Sequence, residues 1–190
     1  SSNMLKIWTI LLILSLAIFG QTVFAQLENE TTTAAPQPGL QGQRWVLSVG
    51  ICKFADTRIS QLRFCGKDAK SFADYFLSDG VPEANVKLLL DEEATSANVI
   101  SSLAQFKNQV GSNDTFFFAY SSHGAGDETN RTYFITFDTV VDNLANTAIP
   151  MQSIKQALEN FGCLNVVFVV DTCHREGSKS VQKYKPHLEE

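Results

Sequence analysis

From Arg44 onward, apolar runs of strand length alternate with segments whose apolar residues recur every three or four positions. Trp45–Ile51 ("WVLSVGI"), Val86–Leu90 ("VKLLL"), Thr115–Ser122 ("TFFFAYSS") and Val166–Val170 ("VVFVV") are runs of the first kind and predict strands buried on both faces. Between the first two, Phe64, Ala69, Phe72, Ala73, Phe76 and Leu77 keep helical spacing and stop at Asp79-Gly80. Thr95 or Ser96 caps a second predicted helix, with Ile100, Leu103, Phe106 or Lys107, and Val110 as its stripe. Tyr133–Phe137 reads as a short strand or hairpin arm. Pro150 suits a first helical position and opens a helix with Met151, Ile154, Leu158 and Phe161 inward. Strands alternating with helices predict an α/β domain: a mostly parallel sheet, helices on both faces and right-handed crossovers. No internal repeat interrupts it.

The N-terminal pattern is different. Lys6, the apolar run Ile7–Gly20 and the small-residue site Val23-Phe24-Ala25 have the form of a secretory signal peptide over residues 1–25. The run is short for a bilayer span, so cleavage is expected rather than a retained anchor, with no stable membrane insertion afterwards. The mature chain is then expected to be secreted or periplasmic. Residues 26–43 are polar, rich in Thr, Pro and Gly, and read as a disordered linker. The folded domain is expected over residues 44–177, followed by a polar tail or truncated remainder, 178–190.

A net charge of -5 without a basic patch argues against nucleic acid as a partner. Export would place the four cysteines in an oxidising compartment. With Cys173 set aside, Cys52, Cys65 and Cys163 allow one bridge and one thiol, and spacing prefers no pair. Asn29, Asn113 and Asn130 head glycosylation signals that matter only in a glycosylating host.

In an open parallel sheet, ligands bind beyond the carboxyl ends of the strands, where the chain leaves the packed layer. Two strands end in reactive sequence: one delivers Ser121-Ser122-His123-Gly124, the other Asp171-Thr172-Cys173-His174. A cysteine attacks a carbonyl as the thiolate and, with an ordinary pKa of about 8.5, needs a base beside it near neutral pH. His123 on a neighbouring strand end meets that need. The amides of Gly124 and Cys173 would face the same space and receive a developing oxyanion, with Gly124 letting the backbone come close. Taken singly, a cysteine after a buried strand is usually a small core residue, and a histidine a satisfied polar one. The pairing at two strand ends is what points to acyl transfer.

"FFFAYSSHG" and "VVFVVDTCH" resemble the histidine and cysteine motifs of the caspase-like cysteine peptidases, in particular the metacaspase and bacterial caspase-like branch. The resemblance runs from Trp45 to His174 and takes in "CGKDAKSFADYFLSDGV" and "VKLLLDEEATSANVISSL". The two motifs stand about 50 residues apart, as in caspases. The resemblance implies His123 as general base and later acid, Cys173 as nucleophile, and the Gly124 and Cys173 amides as the oxyanion hole. It also implies that Asp68, Ser121 and Asp171 line a pocket for a basic side chain before the scissile bond. Two converging carboxylates agree with that, because they favour Arg or Lys. A caspase cutting after Asp would use arginines, of which Arg63 is the one nearby, and its Gln-Ala-Cys-x-Gly pattern is absent.

The sequence departs from the family at three places. Cys173-His174 continues as Arg175-Glu176-Gly177 where the family has Ser-Gly. His174 reads as structural, and zinc lacks ligand spacing. The stretch after His123 carries only Asp127, Glu128 and Asp138, few ligands for a cation wanting six or more oxygens, so no cofactor is expected and a calcium requirement is disfavoured. Beyond the cysteine there is no further strand pattern, which predicts a fragment first, and otherwise a partner chain completing the sheet or a degenerate member. The expected function is a secreted cysteine endopeptidase acting on peptide or protein substrates. The alternatives are a legumain- or gingipain-like peptidase and a catalytically inactive binding module.

Overall fold

The computed structural model describes residues 42–163 and 165–172. The signal-like segment, most of the linker, Cys173, His174 and the polar tail lie outside the described residues. Four parallel strands form the main sheet in the order β2-β1-β3-β7: β1 is Arg44–Gly50, β2 Val86–Leu90, β3 Thr115–Ser122 and β7 Asn165–Thr172. β4 (Gly124–Gly126), β5 (Thr132–Phe134) and β6 (Ile149–Pro150) form a small antiparallel sheet. The helices are α1 (Cys65–Ser78), α2 (Ser96–Gln109), the single turn α3 (Leu144–Thr147) and α4 (Met151–Glu159).

The strand order makes the connection reverse direction after β2, and with right-handed crossovers a reversal puts successive helices on opposite faces. α1 covers one face, with Val46 and Phe117 packed against Phe76 and Val81. The other face carries the larger core, where Phe106 of α2 meets Trp45 and Phe116, and Phe116 stacks on Phe161 at 4.4 Å. The reversal point lies between β1 and β3, where a doubly wound sheet opens a crevice at its carboxyl edge.

Local chemistry sets the ends of the helices. α1 stops at Asp79, and Gly80 takes a φ of 85°, a left-handed conformation that suits glycine. The Val81 and Gly80 amides return to the Phe76 and Leu77 carbonyls, a Schellman ending. Thr95 caps α2 by accepting from the Asn98 amide at 3.1 Å.

Five expectations need correction. Leu77, the last residue of the expected stripe of α1, is 38% exposed, since the buried positions of that helix are Cys65, Ala69, Ala73 and Phe76. Phe64 is 61% exposed, because it precedes the helix and Cys65 takes the inward position. Ile100 is 40% exposed, since the inward stripe of α2 is Val99, Ser102, Leu103 and Phe106. Pro150 is the N-cap of α4 and, as part of β6, pairs with Tyr133 of β5, so the helix begins one residue later. The β7 side chains from Asn165 to Asp171 are half-buried rather than buried, because β7 has a strand on one side only among the described residues.

Candidate active site

Alternation along a strand and register between strands decide which side chains share a face. Gly50, Ser121 and Asp171 are register partners on β1, β3 and β7 at the carboxyl edge. They face α1: a Cβ on Gly50 would lie 2.4 Å from the Cys65 carbonyl oxygen and 2.6 Å from the Ala69 Cβ. Asp68 sits in the first turn of α1, between those two contacts. Its charge reaches Asp171, whose carboxyl is pushed up from the ordinary 3.8 mainly by burial and further by Asp68. The Ser121 hydroxyl is buried on the same face and has no hydrogen-bond partner among the described residues. An unmatched buried hydroxyl is a group left for something else to satisfy. Asp68, Ser121 and Asp171 are therefore brought together, although they are 53 and 50 residues apart in sequence.

His123 follows β3 directly and is half-buried. Its Nε2 lies 2.9 Å from the Ser60 carbonyl oxygen. A carbonyl only accepts, so Nε2 carries the hydrogen, and in the neutral ring the lone pair is on Nδ1. The Phe54 ring lies against the imidazole at 5.4 Å, tilted by 34°. The His123 carbonyl accepts from the Ile135 amide at 3.1 Å, and Gly124 opens β4, so the chain turns into the small sheet immediately after the imidazole. Asp127, at the end of that hairpin arm, accepts from Thr129, Arg131 and Tyr133. These bonds, the Thr129 hydroxyl first, hold its carboxyl well below the usual range.

β7 pairs with β3 to its last described residue, Thr172 opposite Ser122. His123 and Cys173 are the next residues after the two strands, and Cys173 lies outside the described residues. Sequence reading missed the Ser60 carbonyl and the Phe54 ring. A backbone carbonyl has no sequence signal, whereas Phe54, a lone aromatic in the polar stretch "KFADTRISQ", carried a weak one.

The family model described as Caspase domain matches residues 43–189. The chain belongs to the caspase-like cysteine peptidase family. A metacaspase, Metacaspase-1A of Aspergillus oryzae, is 33% identical over 90 residues, covering 44% of this chain and 21% of the relative. This caspase-family chain thus spans about a fifth of the length of the curated relative that it matches. The crystal structure of a Geobacter sulfurreducens protein superposes with a TM-score of 0.58 at 22% identity, over 70% of this chain and 51% of that one. At that identity the likeness concerns the fold, and the mostly parallel sheet between helices agrees with it.

Proposed function

We propose that this caspase-family domain is a secreted cysteine endopeptidase with Cys173 as nucleophile, His123 as base and a preference for Arg or Lys before the scissile bond. The observation that carries the reading is the Ser122 to Thr172 pairing in parallel register. Neighbouring strands are about 4.8 Å apart, and this pairing of the residues just before His123 and Cys173 supports the reading that the two strand ends share one site.

In this reading the Cys173 thiol gives its proton to Nδ1 of His123, and the sulfur bonds to the substrate carbonyl carbon. The oxyanion that forms accepts from the Gly124 and Cys173 amides. Collapse expels the amine, protonated by His123, and leaves a thioester. Water, deprotonated by the same imidazole, then releases the acid and restores the thiol. Ser60 keeps the hydrogen on Nε2, which puts the lone pair on Nδ1. Asp171 and Asp68 supply negative charge, and the Ser121 hydroxyl a hydrogen-bonding oxygen, for a guanidinium or ammonium group. No step calls on calcium. The signal-like N-terminus supports export, and a segment or partner chain beyond β7 would complete the pocket wall.

The test uses the full chain with peptides carrying Arg, Asn or Asp before the cleaved bond, and an Arg-bearing peptidyl chloromethyl ketone read by mass spectrometry. Cleavage after Arg with label on Cys173 is expected. Cleavage after Asn would favour the legumain type, and neither cleavage nor label would leave a binding module.

A further inference from the structure

The loop 52–64 between β1 and α1 carries two groups that touch the His123 ring: Phe54 at one end and the Ser60 carbonyl at the other. Asp56 stands between them and is tied in two directions. Within the loop, its carboxylate accepts from the Arg58 amide (3.1 Å), Nε (2.9 Å) and a terminal nitrogen (2.7 Å). Across the molecule, its Oδ2 accepts from the Val141 amide at 3.0 Å, and Arg58 reaches Asp142 at 2.6 Å. Beside these, the Ala55 amide bonds the Phe137 carbonyl at 2.9 Å. The Asp56 side chain is only 10% exposed, although Arg58 is half exposed. A planar guanidinium held by two oxygens fixes orientation as well as distance.

We propose that Asp56, with Arg58, is a positioning residue for His123: it pins the loop to the 137–142 segment so that the Ser60 carbonyl and the Phe54 ring fix the imidazole. The Asp56 carboxylate is turned to Arg58 and the Val141 amide. The pin is electrostatically robust, because the Arg58 fork, aided by the Val141 amide, holds the Asp56 carboxyl well below its ordinary range. It stays ionised wherever a peptidase works. Ile59 and Phe54 bury their side chains in the core, so the loop keeps its place in outline without the pin but loses its register over His123. The consequence for catalysis rests on the peptidase reading of His123; the consequence for the imidazole itself does not.

The full chain with 15N-labelled histidine tests this in wild type, Asp56→Asn and Asp79→Asn. The last cuts the exposed Arg44–Asp79 pair at the amino end of β1, away from the carboxyl edge, and serves as control. In wild type, His123 is held as the Nε2–H tautomer. In Asp56→Asn it becomes a mixture, and kcat on an Arg peptide falls about tenfold or more while KM changes less than about twofold. The control matches wild type in both. A folded Asp56→Asn chain with a single tautomer and wild-type kcat overturns the proposal. Should that variant not fold, Arg58→Gln at the exposed partner carries the same test, and an unchanged tautomer there overturns it equally. If wild type cleaves nothing, the peptidase reading fails, and the tautomer measurement still decides the role of Asp56.

Discussion

Replacing Gly50 by alanine adds one carbon at the contact between β1 and the first turn of α1. The added Cβ would sit 2.4 Å from the Cys65 carbonyl oxygen and 2.6 Å from the Ala69 Cβ, where ordinary contact begins at 3.4 Å. Neither neighbour is the flexible end of a side chain, so α1 must lift by about 1 Å at its N-terminal turn, an overpacking that costs about 1–3 kcal/mol. The lift also strains the buried hydrogen bond from the Ser48 hydroxyl to the Ala69 carbonyl, 2.8 Å long. Losing it adds about 1 kcal/mol. Asp68 rides on the same turn and moves away from Asp171. Denaturant unfolding of Gly50→Ala should therefore show a loss of about 2–4 kcal/mol at an unchanged slope, with weaker binding of Arg-bearing ligands. A variant within about 0.5 kcal/mol of wild type, the usual scatter of surface substitutions, would refute the close packing of α1 on the strand end.

Asp171→Asn should separate stability from function. A carboxyl whose pKa is raised in the folded state lowers stability as pH rises from 3.8 through the raised value, so removing it should raise the unfolding midpoint at neutral pH. The same change should cut kcat/KM for Arg substrates about tenfold to a hundredfold, the worth of a charge-assisted hydrogen bond. A cationic ligand favours the ionised carboxylate, so in wild type its affinity should rise with pH above 3.8 until Asp171 is fully ionised, as calorimetry would show; affinity falling over that window would contradict the pocket. Phe118 is fully buried and stacks on Phe168 at 4.9 Å, so Phe118→Ala should cost about 3–5 kcal/mol by thermal or chemical unfolding.

The strands and helices were legible because burial on both faces writes continuous apolar runs, and one-sided burial writes a period near 3.6. Where periodicity was the only guide, neighbouring positions were confused: Val99 and Ile100 are both apolar and adjacent, and only packing tells which faces the sheet. The family resemblance singled out Asp68, Ser121 and Asp171, and the parallel register supplies the physical reason that Ser121 and Asp171 lie side by side. The Asp56–Arg58 fork was not legible. Its partners are the Val141 amide and Asp142, 84 or more residues away, and nothing in a local stretch announces a long-range pairing. The half-buried β7 shows the complementary limit: an apolar run states what a strand needs, not what lies beside it.

The most direct test of the central claim is the alkylation rate of Cys173 as a function of pH, followed by mass spectrometry in wild type and His123→Ala. An imidazole beside the sulfur predicts rapid alkylation near neutral pH in wild type, falling to that of an ordinary thiol with a midpoint of about 8.5 in His123→Ala. Identical pH profiles for the two chains would show that the histidine and the cysteine do not meet.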